Sequence, residues 1–360
     1  MPDSVVSGAT RQVVSGVVAA SPTRSPRQQA MTEFLDRAGW VGLASVPLAG
    51  DASFRRYYRL RRGRESAIVM DAPPLHEDVG AYIAVAAALR KLGLSAPEVM
   101  AADPAQGFLL IEDFGDDTYT RLLRAGADET VLYALAVDTL AAVQTRAAVQ
   151  GTLDLPPYDD ARLLDEAVLL VDWYMPAVLG EPPSAALRDE YLDLWRAVLP
   201  AACQAFPPTL VLRDFHIDNL MLLPQRPGLR ACGLLDFQDA VVGPPAYDLV
   251  SLLEDARRDV PEALRIAMTE RYLSAFPAFD HADFRRAAAV FALQRNCKIL
   301  GIFTRLWQRD DKPAYLCHIP RLWRLIENDL ADPALSALAG WLARHLPSST
   351  RRMPASRGTV

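Results

Sequence analysis

Val211-Leu212-Arg213-Asp214-Phe215-His216-Ile217-Asp218-Asn219-Leu220-Met221-Leu222-Leu223, followed by Gly233-Leu234-Leu235-Asp236-Phe237-Gln238-Asp239, is the densest cluster of chemistry-bearing residues in the chain. Asp214 precedes Asn219 by five positions, and Asp236 closes an apolar run after a short hairpin marked by Pro224, Pro227 and Gly228. Taken singly, Asp and Asn here read as turn residues that satisfy nearby backbone groups. Taken together, each beside an apolar strand and in this order, they match what phosphoryl transfer needs. One carboxylate (Asp214) accepts the proton of an attacking hydroxyl, while an amide (Asn219) and a second carboxylate (Asp236) hold Mg²⁺ against the phosphates. Magnesium takes hard oxygen donors and few of them from the protein, so a sparse Asn/Asp pair suffices.

Outward from this segment the chain divides in character. Before it, short strand patterns cover Phe54–Leu60, Ser66–Met70 and Phe108–Ile111, with one helical pattern at 78–92 stopped by Gly93. After Thr118, helical patterns dominate at 118–125, 128–147, 160–179, 185–204, 261–275, 282–305 and 320–345, interrupted by strands only between Leu210 and Leu235. The expected class is α+β: a small strand-rich, nucleotide-binding N-lobe over 31–115, and a large helical C-lobe over 116–346 that carries catalysis and substrate. Residues 1–30 are Ser-rich and aperiodic and read as a disordered extension, with Met31 a second candidate start and Thr32 the first helix cap. Residues 347–360 read as a flexible tail.

Composition narrows the function classes. The chain has 360 residues, 51% of them apolar, and a net charge of −6, so it carries no overall basic field for nucleic acid. No apolar run reaches the ~18 residues of a membrane helix. The Val13–Ala20 stretch is broken by Ser and Gly and preceded by Asp3, which argues against a signal peptide and for a cytoplasmic protein. Cys203, Cys232, Cys297 and Cys317 form no close pair and are expected to be reduced and mostly buried. A monomer acting on a small molecule is the expected form.

With Gly243-Pro244-Pro245-Ala246-Tyr247-Asp248-Leu249, the opening segment resembles the aminoglycoside phosphotransferase/choline kinase family. That resemblance implies a protein-kinase-like two-lobe fold and an ATP- and Mg²⁺-dependent kinase. The wording Leu212–Met221, preceded by Gly50-Asp51-Ala52-Ser53-Phe54-Arg55-Arg56-Tyr57, is similar to the cell-wall amino-sugar kinases of that family, as is Gln294–Gly301. The likeness runs from about residue 31 to 345. It implies phosphorylation of the anomeric hydroxyl of N-acetylmuramate and N-acetylglucosamine in peptidoglycan recycling.

Carried over residue by residue, the resemblance makes Asp214 the base, Asn219 and Asp236 the metal ligands, Asp248 the anchor of the catalytic loop and His216 a brace for it. Arg213 stands where antibiotic kinases usually have Gly. The Lys expected on the third strand is missing, since Ala67-Ile68-Val69-Met70 ends in Met and no Lys precedes Lys91. Ser53, Phe54, Arg55 and Arg56, with Arg59, are the candidates to meet phosphate, and Glu112 and Phe114 mark the adenine hinge.

Three sets of residues bear on the acceptor. Asp172-Trp173-Tyr174 offers a carboxylate beside aromatics for a sugar face, or an ordinary buried helix pattern. Arg295 and Lys298 offer charge for a lactyl carboxylate, or surface stems. The acidic stretch 154–193 would suit an amine, amino alcohol or aminoglycoside instead, or is merely solvated. A nucleotide-binding pseudokinase is the remaining alternative, and the missing Lys is its support.

Overall fold

In a computed structural model, the described residues are 25–354, except 43, 49–53 and 151–153. Five antiparallel strands form the N-terminal sheet: β1 (Ser45–Pro47), β2 (Arg56–Arg62), β3 (Glu65–Asp71), β4 (Val99–Asp103) and β5 (Phe108–Glu112), in the order β1-β2-β3-β5-β4. Helix α1 (Pro26–Arg37) covers one face and α2 (Val79–Lys91) the other. This two-sided cover explains why β3 and β5 read as unbroken apolar runs. Ala67 and Val69 pack toward Phe34 and Met31, whereas Ile68 and Met70 pack toward Val85 and Leu89.

Helix α1 starts earlier than expected. Ser25, not Thr32, is its cap, in a reciprocal capping box with Gln28, and Pro26 occupies the first turn. Arg27 ion-pairs with Asp71 at 2.6 Å and lies over the Phe108 ring at 3.9 Å. Residues 26–30, expected to be disordered, are therefore part of the lobe. The Val13–Ala20 stretch and Ser53 lie outside the described residues.

Past β5 the chain is helical: α3 (Tyr119–Arg124), α4 (Glu129–Gln150), α5 (Asp160–Ala167), α6 (Met175–Leu179), α7 (Ala185–Gln204), α8 (Ala246–Leu253), α9 (Glu262–Ser274), α10 (His281–Asp310), α11 (Ile319–Asp329) and α12 (Ser336–His345). The expected helix at 160–179 is divided by a π-helical turn at Leu170–Tyr174. There α10 comes very close: a Cβ on Gly301 would sit 2.4 Å from the Leu169 carbonyl, so only glycine fits. The expected 320–345 helix is also two, because Asp332 and Pro333 start a new turn. Two more corrections concern the C-terminus and the thiols. Residues 348–352 are tied down: the Tyr174 hydroxyl donates to the Arg352 carbonyl at 2.9 Å, and Arg351 pairs with Glu327 at 2.8 Å. Only Cys232 and Cys297 are buried, while Cys203 is half-buried and Cys317 exposed.

Candidate active site

Two small antiparallel strand pairs bring the quoted segment together, one nested inside the other. Strand β6 (Thr209–Val211) pairs with β9 (Val241–Gly243), and β7 (Leu220–Leu222) pairs with β8 (Cys232–Leu234). Asp214 lies in the loop between β6 and β7, Asn219 at the start of β7 and Asp236 just past β8. The Asn219 amide nitrogen donates to the Asp214 carbonyl at 3.0 Å and approaches the Asp236 carboxylate at 3.5 Å. One amide and one carboxylate thus converge on the same space, and the donor set suits a hard divalent cation. Among the described residues no cluster of three or more His, Cys, Asp or Glu offers a richer metal site.

Asp248 is wholly buried in α8 and accepts from the Leu212 N–H at 2.6 Å and the Arg213 N–H at 2.8 Å. Burial raises its carboxyl, and these two donors oppose the rise. Arg213 sits at φ +69°, a left-handed conformation that costs a residue bearing a Cβ roughly 1 kcal/mol. This explains why glycine is at home there. Its guanidinium bonds to Glu166, which also pairs with Lys298 at 2.9 Å and accepts from the Tyr158 hydroxyl. Burial pushes the Asp214 carboxyl up, but Lys298, Arg213 and Arg295 outweigh it and hold the group below its ordinary value. Asp214 is therefore a carboxylate at neutral pH. His216 is buried and driven below its usual range, chiefly by burial, so it is neutral there. Its Nε2 lies 3.4 Å from the Asn219 amide, as a brace would.

These residues floor a cleft of about 660 Å³ between sheet and helices. Leu48, Tyr57, Ile68, Tyr82, Ile111 and Met221 supply apolar walls, and Glu112 and Phe114 line its edge. The period of β2 turns Arg55, Tyr57 and Arg59 into the cleft and leaves Arg56 exposed outside it, which removes Arg56 from the phosphate candidates. Arg59 is spoken for by Asp113 at 3.0 Å, Asp116 at 2.7 Å and the Gly115 carbonyl at 2.9 Å. It staples the segment that follows β5. Phe54 is exposed and stacked on His76 at 4.3 Å.

Arg55 is different. It is buried, meets Asp236 at 3.0 Å and lies 3.7 Å from Glu77. Since Tyr57 pairs with Met70 across β2 and β3, Arg55 stands one step diagonal to the position where the lysine was expected. A cation therefore stands near that position from the end of the neighbouring strand.

Behind Asp214 a smaller cavity of about 100 Å³ is lined by Asp214, His216, Tyr247, Arg257, Arg295, Lys298 and an apolar patch of Ile299, Ile302 and Phe303. Arg295 and Lys298 thus meet beside Asp214. Asp172, Trp173 and Tyr174 line neither space: Asp172 pairs with Arg188 at 2.8 Å, and the buried Tyr174 hydroxyl accepts from the Trp323 indole at 2.8 Å. They belong to the packing of the helical lobe, which corrects their assignment to substrate. Arg257, Tyr247, Glu166 and Glu77 escape sequence reading. Arg257 sits in Glu254-Asp255-Ala256-Arg257-Arg258-Asp259, a mixed-charge run that reads as solvated. A larger groove of about 960 Å³ between α8, α9, α10 and α11 holds none of the candidate site residues.

Residues 45–290 match the model of a family described as "Phosphotransferase enzyme family". A Caulobacter vibrioides protein named N-acetylmuramate/N-acetylglucosamine kinase is 39% identical over 361 residues, covering 91% of this chain and 99% of its own. A Pseudomonas aeruginosa protein of the same name is 39% identical, covering 84% of this chain and 88% of its own. In fold, the chain is similar to a choline kinase from Streptococcus pneumoniae (TM-score 0.60, 15% identity, 86% of this chain and 100% of that one). It is also similar to a GDP complex of an aminoglycoside 2'-phosphotransferase (TM-score 0.57, 16% identity, 85% and 99%).

Proposed function

Because the chain belongs to the phosphotransferase enzyme family, we propose that it is an ATP- and Mg²⁺-dependent kinase that phosphorylates the anomeric hydroxyl of N-acetylmuramate and N-acetylglucosamine. The observation that carries this reading is the surround of Asp214: an ionised base flanked on its acceptor side by Arg257, Arg295 and Lys298. Three cations beside the base repel an aminoglycoside or choline and tolerate a neutral or anionic sugar. The acidic stretch gives the amine reading no support, since Glu166 is turned inward onto Arg213 and Lys298 and Asp172 is paired with Arg188. The full Asp214/Asn219/Asp236 set, with Arg55 in the lysine's place, speaks against a pseudokinase.

Asn219 and Asp236 would hold the cation, which, when bound, neutralises charge on the transferring phosphoryl group. Arg55, fixed between Asp236 and Glu77, adds positive charge at the phosphates from the sheet side. The apolar walls take adenine at the edge marked by Glu112 and Phe114. Asp214 accepts the acceptor's hydroxyl proton as its oxygen bonds to the γ-phosphorus and the bond to the β-bridging oxygen breaks, releasing ADP. Asp248 fixes the loop from below, which keeps the base in line. Reuse of wall sugars and use of ATP place the enzyme in the cytoplasm. Among the described residues no helix is long and apolar enough to cross a membrane.

The test is ADP release from Mg-ATP with N-acetylmuramate, N-acetylglucosamine, glucosamine, choline and kanamycin. Turnover on the two N-acetyl sugars is expected. Turnover confined to the cationic acceptors would reverse the reading.

A further inference from the structure

We infer that Arg257 is the residue that reads the acid group of an acidic amino sugar, and so sets the preference of this enzyme between its two acceptors. The inference rests on the amino-sugar reading above and goes on to name the residue that discriminates.

The cavity behind Asp214, at about 100 Å³, is a small side chamber beside the main cleft of about 660 Å³. Its size suits a substituent, with the ring itself left to the cleft. N-Acetylmuramate differs from N-acetylglucosamine by one substituent, a lactyl ether that carries a methyl group and a carboxylate. The cavity's lining has the same two-sided character, with Ile299, Ile302 and Phe303 beside three cations.

The three cations are not equally available. Lys298 is held by Glu166 at 2.9 Å and lies 3.4 Å from the Tyr247 hydroxyl. Arg295 is only 4% exposed and donates to the Glu254 carbonyl at 3.4 Å. Arg257, with a side chain 24% exposed, lines both the cavity and the large cleft. Its Nε pairs with Asp218 at 3.2 Å, its guanidinium lies 5.9 Å from the Phe303 ring centre, and its backbone N–H donates to Asp255 at 2.7 Å. Asp218 in turn accepts from the Thr120 hydroxyl. The side chain is thus set in place by one edge, and among the described residues its two Nη groups meet no hydrogen-bond partner and can serve a ligand. A planar fork with paired donors is the match for a carboxylate. Lys298 and Arg295 supply the background field, and Arg257 makes the contact.

The experiment is steady-state kinetics of Arg257→Gln and Arg257→Lys with both sugars at saturating Mg-ATP. For Arg257→Gln, the ratio of kcat/KM for N-acetylmuramate to that for N-acetylglucosamine should fall about 30-fold, mostly through KM. Arg257→Lys, which keeps the charge and loses the fork, should recover only part of it. Both acceptors are read on one preparation, so any loss of folded enzyme cancels in the ratio. An unchanged ratio would overturn the assignment. So would an equal fall in kcat for both sugars, which would make Arg257 a contact of the transferring phosphoryl group. A wild-type enzyme inert on both sugars would overturn the amino-sugar reading, and this assignment with it, before any variant is made.

Discussion

The two walls of the cleft differ in how they are built. On the helical side, the residues proposed as base, metal ligands and anchor come from one contiguous stretch, 212–248, held by two short antiparallel strand pairs and Asp248. On the sheet side, the cation proposed for the phosphates, Arg55, stands just before β2 rather than on β3, and the next arginines along the chain make other contacts. Arg56 faces outward and Arg59 staples the segment that follows β5. The contrast teaches that a phosphate cleft fixes where positive charge must stand more tightly than which strand supplies it. A proton acceptor in line with a phosphorus atom has no such latitude.

The largest effect should fall on the contiguous wall. Asp214→Asn should lower kcat about 10³-fold while ATP still raises the thermal midpoint as in the wild type. Loss of nucleotide binding in that variant would blur the division of labour between the walls. On the sheet side, Arg55→Met should lower kcat/KM for ATP about 100-fold, with Arg55→Lys restoring most of it. Arg59→Met should lower it less than about fivefold, because its charge is already satisfied by Asp113 and Asp116. The reverse ranking would move the phosphate cation along β2.

Packing beneath the site gives a third test. Gly301→Ala forces a methyl group against the Leu169 carbonyl and should destabilise the fold by about 2–3 kcal/mol in denaturant titration. A neutral outcome would mean that α10 and the π turn are not locked together there. A smaller effect concerns His216, whose folded value lies below its ordinary one of about 6.5. The folded chain refuses a proton that the unfolded chain accepts, so this residue makes stability fall as pH drops from about 7 toward the folded value. His216→Gln should flatten that part of the Tm-against-pH curve relative to the wild type. Smallest of all, Asp172→Ala should cost under about 1 kcal/mol and leave sugar KM values unchanged, since it ends one half-exposed ion pair.

What could be read from residues alone follows the same contrast. The helical wall was readable because its chemistry is contiguous and each functional residue abuts an apolar strand. The buried strands β3 and β5 were readable from their length and apolarity, whereas β1 and β4, short and largely uncovered, carry no such pattern. Helix α8 is hidden for another reason: it has only eight residues, all of them buried, which is too short a window to separate a helical period from a buried strand. Asp172-Trp173-Tyr174 looked like a sugar platform because composition cannot tell which side of a helix faces a cleft. Arg257 and Glu166 were hidden in charge-rich runs, and only their partners in space, Asp218 for one and Lys298 for the other, mark them out.

The central claim is that Asp214 activates an anomeric hydroxyl for attack on ATP. The most direct measurement is a ³¹P–¹H correlation spectrum of the product formed from N-acetylmuramate and Mg-ATP. The account predicts a new phosphomonoester coupled to the sugar's H1, formed by the wild type and lost in Asp214→Asn. A phosphorus signal coupled to any other ring proton, or undiminished product from the variant, would contradict it.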